Sequence, residues 1–153
     1  MWINLEHCWR CPTRAAIDAL ALRFNLRNTR DMQDWEYEVA DAKRINEFLA
    51  AYESGELNDD ERFTLMETLL ESCCEAEMYD KAFLSSDVWK KILALLEQNI
   101  ALHIYTVWYW SDTEQAEEDT SDSVVITPCI RTILLRQQQR FALPVNNFEG
   151  IDA

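Results

Sequence analysis

The sequence has very little glycine and proline, with two Gly and three Pro among 153 residues. Sandwiches and barrels need many tight turns, which these two residues usually supply, so their scarcity favours helices. Apolar residues make up 48% of the chain, as in globular proteins and unlike disordered chains of similar charge. We therefore expect a mainly α fold: one domain over residues 1–153, a helical bundle of about five helices, with a short β element as an open alternative.

Histidine is equally scarce, and no catalytic or cofactor signature is present. The two histidines are His7 and His103, and no spacing or strained turn links either of them to a nucleophile. A buried His103 is the simpler expectation. The sequence thus predicts a binding protein and not an enzyme, with no cofactor and no metal.

The five cysteines form an odd set, and no basic-then-apolar leader or long apolar run accompanies them. A reducing cytoplasm without a membrane span is expected. Cys8 and Cys11 have the two-residue gap of redox motifs and of half a zinc site, but the other thiols do not repeat this spacing. A redox or zinc protein that uses Cys8 and Cys11 is kept as an alternative.

Acidic charge dominates the chain and is unevenly distributed. The net charge is −14. Residues 1–30 carry five Arg against two acids, residues 31–80 carry sixteen acids against three bases, and residues 111–123 carry six acids and no base. Such a protein repels nucleic acid and anionic membranes, and it attracts basic partners.

Helix starts are marked by capping residues. Asn58 with Glu61 forms a capping-box pattern, Asp41 is a good N-cap, Ser86 or Asp87 starts a further helix, and Thr127-Pro128 starts another. The segment 100–110 is apolar on all sides, so strand and buried helix compete, and the helical neighbours favour helix. The segment "DWEYEVAD" fits either extended chain or a helix. We expect an acidic loop over 111–123 and an extended C-terminal tail over 141–153.

Three consecutive rings precede the acidic loop. Because three adjacent side chains cannot all face inward, at least one is expected near the surface, where aromatic residues anchor interfaces. Charge would speed association with a basic partner, and buried rings would slow release. The candidate partner-binding residues are Trp108, Tyr109, Trp110, Asp112, Glu114, Glu117, Glu118, Asp119 and Asp122.

A resemblance supports this reading. The segments "MQDWEYEVADAKRINEFLAAYESGELNDDERFTLMETLLES", "VWKKILALLEQNIALHIYTVWYWS" and "ITPCIRTIL" join an acidic cap, a Trp-led helix, a His-Tyr-Trp segment and a "TPxxR" helix start. Over roughly residues 30–135 the chain resembles the small acidic immunity proteins of bacterial contact-dependent inhibition and type VI secretion systems.

The resemblance implies a cytoplasmic protein that binds one cognate toxin domain and blocks its active site or an adjacent surface. An acidic inhibitor suits a basic toxin, and nucleases are the common basic class by analogy. A nucleic-acid mimic that inhibits another nuclease is the alternative with the same electrostatics.

Overall fold

The structure is a computed structural model that describes the backbone of residues 2–113 and 124–151 and the side chains of these residues up to 140. It is mainly helical, as the sequence predicts, and the described residues contain no strand. Seven α-helices are described: α1 Arg14–Phe24, α2 Trp35–Glu38, α3 Ile45–Glu53, α4 Asp59–Tyr79, α5 Asp87–Gln98, α6 Ile100–Ser111 and α7 Thr127–Ile151. Short 3-10 helices lie at Glu6–Cys8, Ala42–Arg44 and Lys81–Ser85.

The contacts divide the chain into two compact units. The larger unit is Arg10–His103, and the smaller unit combines Met1–Trp9 with Ile104–Ala153. In the part of the chain that the structure describes, no helix combines the length and the apolar character that crossing a membrane requires.

The core of the larger unit is built around α4, which α1, α2 and α3 contact. Ten of its 21 residues are buried. Phe63, Met66, Leu70 and Cys73 supply the predicted stripe, and each is at most 1% exposed. The helical period that places these residues on one side is therefore what gathers the three neighbouring helices.

The predicted capping residues start their helices. The Asn58 side chain accepts from the Glu61 N–H at 2.8 Å, and the Glu61 carboxylate accepts from the Asn58 N–H at 2.9 Å. Ser86 caps α5, and Asp41 accepts from the Lys43 N–H at the 3-10 helix that precedes α3. Satisfied N–H groups at these ends explain why the boundaries can be read from local sequence.

The smaller unit is organised by the first part of α7. Ile130, Ile133 and Leu134 are buried there, as the helical spacing of the sequence predicts, and Ile126 is buried just before the helix begins. The Ile3 N–H also donates to the Gln138 side chain at 3.2 Å, which joins the N-terminal segment to α7.

One segment settles an alternative that the sequence left open, and another differs from its prediction. "DWEYEVAD" contains the short helix α2 at Trp35–Glu38, with Trp35 buried and its indole N–H donating to the Arg27 carbonyl at 2.8 Å. The tail predicted as extended from 141 is instead helical backbone to Ile151. The helix includes Pro144, which has no N–H and therefore leaves the carbonyl one turn earlier without its usual helical donor.

Leu70→Ala tests the register of α4. Because Leu70 is completely buried, the truncation should lower the free energy of unfolding by about 2 to 5 kcal/mol. Urea unfolding followed by circular dichroism measures it. Leu22→Ala is the matched control, since Leu22 is 85% exposed and its truncation should change stability by less than about 0.5 kcal/mol. Equal effects of the two substitutions would contradict the register.

Candidate functional site

The C-terminal half of α6 has one buried side and one exposed side, although its sequence is aromatic and apolar on both. Thr106, Val107 and Trp110 lie on the buried side. Tyr105, Trp108 and Tyr109 share the opposite side because residues three and four apart are neighbours on a helix. We call these three residues the aromatic face.

The rings of the aromatic face contact one another and remain accessible. The centroids of Tyr105 and Trp108 are 5.7 Å apart, and those of Tyr105 and Tyr109 are 6.2 Å apart. Tyr109 is 64% exposed, and Tyr105 and Trp108 are half-buried. At least one ring of the Trp108–Trp110 run therefore reaches the surface, as predicted. A contiguous aromatic surface on a helix is typical of an interaction site.

Trp110 does not belong to the aromatic face. It is 8% exposed and lies in the core of the smaller unit, because one residue beyond Tyr109 turns a helical side chain by about 100°. Of the predicted contact residues in this run, Trp108 and Tyr109 are thus available to a partner, and Trp110 has a packing role.

Asp112 ends α6 in an unusual conformation. Its φ is +45°, in the left-handed region that favours glycine, and its N–H donates to the Tyr109 carbonyl at 3.2 Å. Aspartate tolerates this region better than most residues. A carboxylate at a helix C-terminus nevertheless opposes the helix dipole. Asp112 therefore holds a position where glycine or asparagine would be more stable.

Arg131 stabilises this helix end, and sequence reasoning missed it. Its Nε donates to the Ser111 carbonyl at 2.5 Å and its second guanidinium nitrogen to the Asp112 carbonyl at 2.9 Å. Cationic donors are favourable at the C-terminus of a helix. Arg131 is the arginine of the "TPCIR" segment, so the signal was visible as a motif, but its target lies about twenty residues earlier in the chain and only the fold brings the two together.

The remaining predicted acids, Glu114, Glu117, Glu118, Asp119 and Asp122, lie outside the described residues. Of the candidate partner-binding surface, the structure describes the aromatic face, the turn at Asp112 and the hydrogen bonds by which Arg131 caps α6. The segment from 111 is not loop throughout, because Ser111 is buried within α6 and its hydroxyl donates to the Val107 carbonyl at 2.6 Å.

Opposite charges that are separate in sequence meet within the larger unit. Arg10 pairs with Asp60 at 2.8 Å, and Arg23 pairs with Glu56 at 2.9 Å. The basic 1–30 segment thereby neutralises part of the acidic 31–80 segment. The unit still carries nineteen acids against eleven bases, a net charge of −8.

Part of this excess lies where α2 packs against α4. Burial first, and then the nearby carboxylates of Glu67, Glu36 and Asp34, together raise the pKa of Glu71 to about 7. The pKa of Glu36 is also raised, first by burial and then by Asp34 and Glu38. These carboxylates repel one another, so this acidic cluster lowers stability when it is fully charged.

His103 is buried, as predicted, and is held as a neutral ring. Its Nε2 lies 2.6 Å from the Tyr52 hydroxyl, and its ring stacks on Phe63. Burial first, and then the guanidinium groups of Arg62 and Arg10, together lower the pKa of His103 to about 3. A histidine in this state cannot accept a proton near neutral pH, which argues against a general-base role for it.

The cysteines are free thiols in the structure. Cys11 is exposed, and Cys8 ends the short 3-10 helix Glu6–Cys8. Within residues 2–113 and 124–151, no group of three or more His, Cys, Asp or Glu side chains is arranged to hold a metal ion.

Comparison with known proteins yields no relative: no protein-family model matches the sequence, and no curated protein or solved structure is significantly similar to it.

Arg131→Gln tests the cap on α6. The substitution removes two charge-assisted hydrogen bonds and leaves the carbonyls of Ser111 and Asp112 without these donors. We expect the free energy of unfolding to fall by roughly 1.5 to 3 kcal/mol in a denaturant titration. Arg30→Gln, which removes an exposed arginine, is the control and should be nearly neutral. Equal free energies of unfolding for the two variants would show that the Arg131 hydrogen bonds do not stabilise the protein.

Glu71→Gln tests the acidic cluster through pH. Below the ordinary pKa of 4.5 the carboxyl is protonated in both states and costs nothing. As the pH rises through about 7, the folded state must hold a disfavoured charge, so this group progressively reduces stability. The variant should therefore gain stability over the wild type as the pH rises from 4.5 to 8, measured by melting temperature. Glu75→Gln removes the same charge one turn later in α4, and an identical pH profile for both variants would refute the assignment.

Proposed function

We propose that this protein is an immunity protein, a cytoplasmic binding module that neutralises one cognate toxin domain by covering its active site or an adjacent surface. The observation that carries the proposal is the aromatic face of α6, which is followed in the sequence by Asp112 and the other acids of residues 111–123. This juxtaposition suits capture and retention of a protein partner, and it requires no turnover.

The aromatic face would supply the anchor. Tyrosine and tryptophan bury a large area at a small cost in side-chain entropy, and they dominate the binding energy of many interfaces. Tyr109 is already exposed, and Trp108 is held against Tyr105, so little reordering would precede contact. Pre-organisation of this kind increases affinity by reducing the cost of association.

The acidic charge would select the partner. A net charge of −14 attracts a basic surface and speeds its encounter. A nuclease toxin fits this requirement, because its substrate is a polyanion and its binding site is correspondingly basic. Carboxylates from Asp112 onward would pair with the Lys or Arg residues that otherwise hold substrate phosphates. Exposed pairs of this kind contribute little each, whereas a desolvated pair contributes more.

The test begins with co-purification of the tagged protein from its native host, with mass spectrometry of whatever remains bound at moderate salt. A stoichiometric basic toxin domain is expected.

The association of this toxin domain with the wild type is then compared with its association with two variants by stopped flow. Tyr109→Ala should speed dissociation about tenfold. A second variant replaces six acids by the corresponding amides: Asp112, Glu114, Glu117, Glu118, Asp119 and Asp122. It should lower the association rate constant about tenfold at low salt and make this rate constant less dependent on salt concentration.

Tyr79→Ala is the matched control, since Tyr79 is 81% exposed but lies at the end of α4. It should leave both rate constants unchanged. Recovery of no partner would contradict the immunity proposal, and recovery of a nuclease that is not a toxin would replace it with a nucleic-acid mimic. Unchanged kinetics in the amide variant would move the interface to the acids of residues 31–61.

A further inference from the structure

An open cavity in the larger unit is lined by none of the residues assigned to partner binding. Its volume is about 370 Å³, within the roughly 300 to 1,000 Å³ of small-ligand sites. It is formed where α3 ends, α4 begins and α5 passes into α6. The residues that determine its chemistry are Tyr52, Glu53, Leu57, Arg62, Leu95 and Asn99.

The lining carries one charge of each sign. Glu53 is 2.9 Å from Lys91, and Arg62 pairs with Asp59. Lys91 and Asp59 are both mostly exposed, so these ion pairs are weak and can share their charges with a ligand. Arg62 also donates to the Asn99 Oδ1 at 3.4 Å. A carboxylate accepts several hydrogen bonds and a guanidinium has five N–H donors, so these partners do not saturate either group.

The rest of the lining separates into polar and apolar parts. Leu57 and Leu95 are half-buried and present hydrocarbon to the cavity. Asn99 is fixed, because its amide donates to the Leu95 carbonyl at 2.9 Å. Tyr52 forms a rigid wall, because its hydroxyl is held by the buried His103 at 2.6 Å.

We propose that this cavity binds a free α-amino acid with an apolar side chain. Arg62 would hold the carboxylate, for which the guanidinium fork is well suited. Glu53 would hold the ammonium group, and Leu57 and Leu95 would contact the side chain. A ligand with a single charge is attracted by one of the two charged residues and repelled by the other, whereas a zwitterion satisfies both. The proposal does not depend on the toxin partner.

The experiment uses the purified full chain and three probes, L-leucine, L-methionine and L-phenylalanine, in isothermal titration calorimetry. At least one should bind with a Kd of about 1 mM or tighter. Two analogues of the bound amino acid then remove one charge each: the N-acetyl derivative lacks the ammonium group, and the amide lacks the carboxylate. Each should bind about tenfold more weakly or worse, as expected for loss of one charge-assisted contact.

Glu53→Gln and Arg62→Gln should each weaken binding of the unmodified amino acid to a similar extent. Glu56→Gln is the matched control, because Glu56 pairs with Arg23 and does not line the cavity; it should bind like the wild type. Circular dichroism checks that all three variants fold. Absence of heat with all three probes at about 10 mM, far above the expected Kd, would overturn the proposal, as would an analogue that binds as tightly as its parent amino acid.

Discussion

Burial of α4 is the constraint on which the rest of the larger unit depends. A helix contacted by α1, α2 and α3 must present side chains that pack on several sides, and apolar residues alone do not supply them here. Buried Thr64 and Ser72 donate to carbonyls one turn earlier, at 2.8 and 2.7 Å. Ser72 also accepts from the Asp41 N–H at 3.0 Å. These small polar groups thus let a helix of modest hydrophobicity be central, and they fix the connection between α2 and α3 upon it.

The same packing determines where charge is neutralised. Placing α4 at the centre brings Asp60 to Arg10, so two segments of opposite sign become partners. It also brings Glu71 close to Glu36 on α2, where the two carboxylates repel one another. Part of the excess negative charge of the larger unit is therefore concentrated where α2 packs against α4.

The features that could be predicted are those that depend on near neighbours in sequence. The Asn58–Glu61 capping box and the Phe63 to Cys73 stripe are local patterns, and the structure reproduces both. The exposed side of α6 could not be predicted, because aromatic residues lie all round it and only the packing of Val107 and Trp110 shows which side remains free. The role of Arg131 depends on a contact across about twenty residues. In the same way, the cavity at Glu53 and Arg62 exists only where three helix ends meet.

The end of α6 is the place where local stability and the proposed function conflict. Asp112 combines a left-handed backbone with a carboxylate at the negative end of a helix, and glycine would avoid both costs. Arg131 offsets them by donating to the last carbonyls of the helix. The carboxylate of Asp112 therefore reduces stability within the fold. A basic partner of the kind proposed above would offset that cost by neutralising the charge.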